Sequence, residues 1–225
     1  YRIIHFDSPD KRGIDNAILY KPEVLRLTAA YIYPVFLPTG ETTRDLLFGE
    51  FIIKADKKQN SRLIFSVNHW PSRRGGDTSI MERIFTAQTL SHVVDSLHKT
   101  ADERTNFVAC GDFNDEPSDS SIQTLLKGGD YCLKNLSQSW QNSGQGTLVY
   151  RSNWFIFDQF MVNCSLTERK KGWTLSTDTA QIVTDNRLRE QEGKFKGNPF
   201  RTYVGKKYLG GYSDHLPTFI RLTFK

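Results

Sequence analysis

The 225-residue chain lacks most of the marks that would place it in a membrane, a disulfide scaffold or a metal-cluster protein. No apolar run approaches the ~20 residues that crossing a bilayer needs, and no leader pattern opens the chain, although a signal further upstream would leave no trace here. There are only three cysteines, Cys110, Cys132 and Cys164. An odd number without C-x-x-C spacing supports neither a disulfide framework nor a zinc site, so all three read as small buried thiols. No repeat and no low-complexity tract interrupts the chain, which excludes a solenoid or a disordered linker protein.

What is present is a globular composition. The chain is 38% hydrophobic, with 15 Phe, 9 Tyr and 4 Trp, and is of a length that suits one domain with a real core. The net charge of +5 suits a polyanionic partner without requiring one. Seven basic residues (Arg187, Arg189, Lys194, Lys196, Arg201, Lys206, Lys207) sit in a polar, Gly-containing stretch from Asp185 to Gly211, which reads as an excursion at the rim of a site. Strand patterns fall near 14–20, 46–54, 62–69, 106–112, 154–163 and 217–224. Ile80, Ile84, Ala87, Val94 and Leu97 recur at helical spacing between Ser79 and His98, and S-D-S-S-I-Q-T-L-L offers Ser118 or Asp119 as the N-cap of a second helix.

Three polar motifs border strand-like runs, two at the end of a run and one just before it. C-G-D-F-N-D-E-P sets Asp112 and Asn114 two residues apart, which on an extended strand would put a carboxylate and a carboxamide on one face. I-F-S-V-N-H-W-P-S-R-R-G-G places His69 at a strand end, with Asn68 of opposite parity and therefore structural. G-G-Y-S-D-H-L-P places Asp214 and His215 side by side, so both reach one site only if the chain bends near Gly210, Gly211 and Pro217. In W-F-I-F-D-Q-F-M-V, Asp158 lies among aromatics, where an unpaired carboxylate is costly and a partner is required.

In this order the four motifs resemble the endonuclease/exonuclease/phosphatase superfamily of deoxyribonuclease I-like phosphoesterases, from about residue 12 onward. The resemblance implies an α+β layered sandwich, two packed and largely antiparallel sheets flanked by helices. It implies that Asp112 orients or deprotonates the attacking water, that Asn114 holds the phosphate and Asp112, and that His69 donates to a phosphoryl oxygen or protonates the leaving oxygen. Asp158 would then accept a hydrogen bond from His215, and His215 would bind phosphate or act as base. Asp214, with Asp112 and Asn114, would hold Mg2+ or Mn2+, ions that suit hard oxygen donors.

Arg44 precedes a strand as a phosphate-contacting arginine does in relatives; an exposed ion pair with Asp45 or Glu41 is the other reading. Arg73 and Arg74 read as phosphate contacts or as a solvated charge pair, and Arg12 and Asp15 as further site-lining candidates. Family members also carry an upstream Asn and a metal-ligating Glu that the chain does not contain, so residues 1–225 read as a single, N-terminally incomplete domain; Glu50 and Glu116 are not in a context to replace that Glu. The expected function is metal-dependent phosphoester hydrolysis by direct water attack, nuclease-like on DNA or RNA, by a monomer that is secreted or periplasmic if an upstream signal exists. A small-molecule phosphoesterase of the inositol-phosphate or sphingomyelinase type, or a non-catalytic polyanion-binding module, are the alternatives.

Overall fold

The computed structural model describes residues 1–58, 61–100, 105–141, 143–175 and 180–225. β1 (Arg2–His5) and β2 (Ala17–Tyr20) form an antiparallel pair. β3 (Leu25–Tyr33), β4 (Leu46–Ile53) and β5 (Arg62–His69) follow as antiparallel neighbours, and helix α1 (Asp77–Thr100) carries the chain back so that β6 (Asn106–Asp112) lies parallel to β5. Helix α2 (Ser120–Lys127), β7 (Leu133–Asn135), the short α3 (Gln138–Gln141) and the pair β8 (Leu148–Tyr150) and β9 (Asn153–Phe155) lead to β10 (Asp158–Asn163). Together β3 to β6, β10 and β7 make a six-stranded mixed sheet in the order β3-β4-β5-β6-β10-β7. After α4 (Cys164–Glu168) come β11 (Trp173–Leu175), β12 (Gln181–Ile182), β13 (Tyr203–Val204), β14 (Lys207–Tyr208), β15 (Thr218–Phe219) and β16 (Leu222–Phe224), paired as β11–β16, β12–β15 and β13–β14.

Strand alternation divides the core in two. Ile64 on β5, Phe107 and Ala109 on β6 and Met161 on β10 point toward α1 and α2, where Leu90, Val94, Ile122 and Leu125 bury them. Leu63, Val108, Phe160 and Val162 point to the other face and pack on β11, β12 and Leu216. Over the β4–β5 part of that face lie Ile4 and Tyr20 of the β1–β2 pair, against Leu47 and Phe51. Each such side chain contributes about 1.5–3 kcal/mol on burial. The expected α+β sandwich is the fold observed, with its second layer built of two-stranded pieces. Where the β1–β2 pair ends, Phe65, Val67 and Cys110 remain half-buried and line an apolar cavity of about 490 Å³ with Ile18 and Leu25.

Three expectations need correction. The α1 stripe is not the purely apolar one: Ile80 is 39% exposed, while Ser79 and Arg83 are buried, because Arg83 meets a carboxylate beneath the helix. β3 is a strand that the sequence patterns do not mark: none of its residues is fully buried, and a bulge lies between Leu27 and Ala29. Cys132 and Cys164 are not thiols but a disulfide. Antiparallel pairing of β7 with β10 brings their Cα atoms to 5.4 Å across 32 residues, a proximity that no local spacing announces. Cys110 is free, and burial pushes its thiol up to about 12, which makes it inert. No helix among the described residues is long and apolar enough to cross a membrane.

Candidate active site

The face of the sheet opposite α1 ends in functional groups. Leu63, Phe65 and Val67 lead by alternation to His69; Val108 and Cys110 lead to Asp112; Val162 and Phe160 lead back to Asp158. The register places His69 opposite Asp112 and Asp112 opposite Asp158, so three side chains stand in a row across β5, β6 and β10. Gly111 permits this geometry: at φ +129° its backbone passes so close to β5 that a Cβ would lie 2.0 Å from the Asn68 carbonyl oxygen. Asn68 itself points the other way and accepts the Trp70 indole N–H at 3.2 Å, a structural role as expected.

His215 completes the row from outside the sheet. A bridge between Leu148 and His215, and the Leu216 N–H donated to the Thr147 carbonyl at 2.6 Å, hold the C-terminal segment against β8. His215 Nδ1 then donates to Asp158 Oδ2 at 2.7 Å. The half-buried Asp158 thus has the partner that its aromatic surroundings demand. Asp214 is exposed beside His215, at a bend of the chain.

The four groups are not equivalent electrically. Burial, then the charge of Asp158, pushes Asp112 up to about 6, against the opposing pull of His215, the Asn114 N–H and Arg44. Burial, then the positive charges of Arg44 and Arg12, lowers His69 to about 4, so it is neutral at pH 7. Burial also opposes a charge on His215, but the hydrogen bond and charge of Asp158, with Asp112 and Asp214 behind it, outweigh that and raise it to about 9. His69 Nε2 lies 3.6 Å from Asp112 Oδ2, beyond hydrogen-bond distance, so each keeps a free polar atom.

Asn114 reaches the site by a different route from simple alternation. β6 ends at Asp112, and Asn114 adopts a left-handed φ of +51°, from which its backbone N–H donates to Asp112 Oδ1 at 2.9 Å. Its carboxamide Nδ2 donates to the Trp70 carbonyl at 3.0 Å. A turn, not an extended strand, sets the pair side by side. The same turn holds a hub that no sequence signal singled out: Asp115, buried, meets Arg73 at 3.1 Å, Arg83 Nε at 2.8 Å and the Ser121 hydroxyl at 2.6 Å. Arg73 further donates to the Asn114 carbonyl, pairs with Asp119 and lies 4.6 Å over the Phe157 ring. It braces the turn from the side, while Arg74 is exposed next to it.

Arg44 lies beneath the row and is 4% exposed. It does not pair with Asp45 or Glu41. Its Nε donates to the His69 carbonyl at 3.0 Å, one terminal nitrogen to the Trp70 carbonyl at 2.6 Å and the other to Asp10 at 2.8 Å. Despite burial, the Arg44 and Arg12 hydrogen bonds hold Asp10 well below the usual carboxylate range. Asp10 is the second member that sequence reasoning missed; its only signal was its place two residues before Arg12. Asp15 is turned to the Ser8 N–H and to His5, and with Asp7 these form a separate exposed cluster whose ligand atoms lie within 4.8 Å of one another. Glu50, on β4, accepts from Tyr31 of β3 and pairs with Arg62 of β5.

A family model described as "Endonuclease/Exonuclease/phosphatase family" matches residues 1–224. The chain belongs to this family. Among solved structures it is similar to the human Nocturnin catalytic domain, which holds a sulfate anion (15% identity, TM-score 0.65, covering 100% of this chain and 72% of that one). It is also similar to D. rerio TDP2 complexed with single-strand DNA product (16%, TM-score 0.59, 98% and 77%). A third likeness is to the mannosyl-6-phosphatase of Bacteroides thetaiotaomicron (15%, TM-score 0.56, 99% and 77%). At these identities the structures share the fold, and the family's chemistry is phosphoester hydrolysis. No curated protein matches the chain.

Proposed function

We propose that this chain hydrolyses phosphodiester or phosphomonoester bonds by direct attack of water, with a divalent metal ion, and that its substrates are nuclease-like. The observation that carries the reading is the row His69, Asp112, Asp158 closed by His215, with acidities already separated. Asp112, near 6, accepts a proton from water at neutral pH and is the general base. His215, near 9, is a cation at neutral pH held by Asp158, and its remaining N–H binds a non-bridging phosphoryl oxygen; the raised value favours binding over the role of base. His69, neutral, donates a hydrogen bond to a phosphoryl or leaving oxygen and carries no proton of its own to deliver.

The donor set fits a hard cation: Asp112, Asp214 and the Asn114 carboxamide offer oxygens, and the elevated Asp112 is a buried carboxylate that a cation would relieve. Mg2+ or Mn2+ held there would stabilise the negative charge that builds on the phosphoryl group. Arg44 supports the row from beneath and Arg73 braces its turn from the side, and Arg74 is the arginine of the three left to meet substrate.

Two features favour the nuclease-like branch, the basic excursion and the fold shared with a protein that holds a single-strand DNA product. The likeness to a mannosyl-6-phosphatase keeps a compact phosphate ester as the second reading. The Cys132–Cys164 disulfide favours an oxidising compartment, in line with secretion or a periplasm. The test is hydrolysis of bis(p-nitrophenyl) phosphate with and without EDTA. Loss of turnover in EDTA and its return with Mg2+ or Mn2+ is expected. Undiminished turnover in EDTA refutes the metal, and no turnover with either ion, while polyanions still bind, leaves the non-catalytic module.

A further inference from the structure

The excursion from Asn186 to Tyr212, which follows β12 and precedes His215, takes no part in the row of site residues, yet it is an ordered structure. Phe200 receives the Tyr212 and Ser213 N–H groups on its carbonyl at 2.8 and 3.2 Å, and the Leu209 N–H donates to the Thr202 carbonyl at 2.8 Å. Gly211 crosses Phe200 so closely that a Cβ would lie 2.2 Å from its carbonyl oxygen. Arg201 donates to the Val149 carbonyl on β8 at 3.1 Å, and the Arg189 guanidinium lies 5.2 Å over Trp154. The excursion is therefore anchored to the strands that also hold His215, and Ser213 at its base is two residues from that histidine.

Its outer surface is aromatic and cationic. Tyr203 and Tyr208, paired across β13 and β14 with ring centroids 5.2 Å apart, are 58% and 65% exposed, and Tyr212 is 67% exposed. Tyr203 and Tyr208 pack on each other across the hairpin and, like Tyr212, leave most of their surface open. Between Asp185 and Tyr212 there are seven basic and three acidic residues, which accounts for +4 of the chain's +5. The remainder of the molecule is close to neutral. Positive charge that follows a phosphate backbone, interleaved with open aromatic rings, is the pairing that binds unpaired nucleotides, because every base has a face to stack and every linkage has a charge to neutralise. A duplex keeps its bases stacked on each other and cannot use the rings.

We propose that the 186–212 excursion is a stacking platform for single-stranded nucleic acid, with Tyr203, Tyr208 and Tyr212 receiving bases and the neighbouring lysines the phosphates. It rests on the phosphoesterase reading above and narrows its substrate to unpaired strands led toward His215.

The test is fluorescence anisotropy of fluorescein-labelled dT10 and of a 20-base-pair duplex, in EDTA so that binding is read without turnover. The single strand should bind more tightly at equal salt. Tyr203→Ala, Tyr208→Ala and Tyr212→Ala should each weaken dT10 by about tenfold, the worth of one base-aromatic stack. Phe at the same positions should restore it. Lys206→Gln with Lys207→Gln should flatten the salt dependence by roughly 0.7 per lost contact, whereas the tyrosine variants leave the slope unchanged. Hydrolysis of bis(p-nitrophenyl) phosphate should be the same in all of them. The platform is overturned if dT10 binds no better than duplex, if the triple Ala variant keeps its affinity, or if the same rings serve anionic lipid vesicles and not dT10. Turnover of the small diester by a protein that ignores dT10 sinks the platform alone; tyrosine-dependent dT10 binding without turnover in any Mg2+ concentration sinks the enzymatic reading alone.

Discussion

The two histidines of the site are the same residue in opposite electrical settings. His69, at the end of β5, sits above Arg44 and near Arg12, and it is driven down to about 4. His215, on the C-terminal side, is surrounded by Asp158, Asp112 and Asp214 and is driven up to about 9. Both are largely buried, so burial pulls both the same way, and the sign of the neighbouring charges decides. The lesson is that a row of similar groups can divide labour without any difference in residue type. In the proposed reading one side of the site is a neutral donor and the other a cation at neutral pH, with the base between them.

The sharpest way to break this division is Asp112→Asn. Turnover of bis(p-nitrophenyl) phosphate should fall by ~10²–10⁴, the usual worth of a positioned base. Melting should be unchanged or slightly higher, because a carboxylate whose pKa is raised by folding weakens the fold while it is charged. Retention of more than half the turnover would transfer the base role elsewhere.

Next in size is Asp158→Asn, which removes the anion that charges His215. A histidine raised from about 6.5 to about 9 adds stability that is fully present below pH 6.5 and is lost as pH rises through about 9. Melting of the wild type in EDTA should therefore decline between pH 6.5 and 9.5, by on the order of 2 kcal/mol, and the variant should show a flatter profile in that window. Parallel profiles would mean that Asp158 does not set the charge of His215.

The smallest effect belongs to the other side. Arg12→Ala takes away one of the charges that keep His69 neutral, so its titration, followed by the NMR shift of the imidazole, should move upward from about 4 while His215 stays in place. A simultaneous movement of both histidines would show that the two settings are not independent.

How much of this was readable in the sequence depends on the range over which each feature is specified. β5 and β6 were legible to the residue, because alternation and continuous burial are local signals. His69 and Asp112 end strands and Asp158 begins one, and His215, held by a single bridge to Leu148, joins them as a group. What failed was long-range or depended on a special backbone angle. Asn114 has the right neighbour for a different reason, a left-handed turn in place of alternation. Arg44 found Asp10 at a separation of 34 residues, and Arg73 found Asp119 at 46; neither spacing leaves a local pattern. The disulfide and the Asp115 hub likewise exist only once β7, β10 and α1 are in place.

Gly111 bears on inheritance. A glycine codon changed at one base, where the change is not silent, yields a residue with a Cβ or a stop. At this position any Cβ drives into the Asn68 carbonyl oxygen, and the φ of +129° is one that L side chains rarely adopt. The position therefore has no tolerated neighbour in sequence space, although it contributes no functional group. A lineage can explore other side chains at His69 or Arg74 and keep the fold, but it cannot drift through Gly111, because there the backbone itself meets β5.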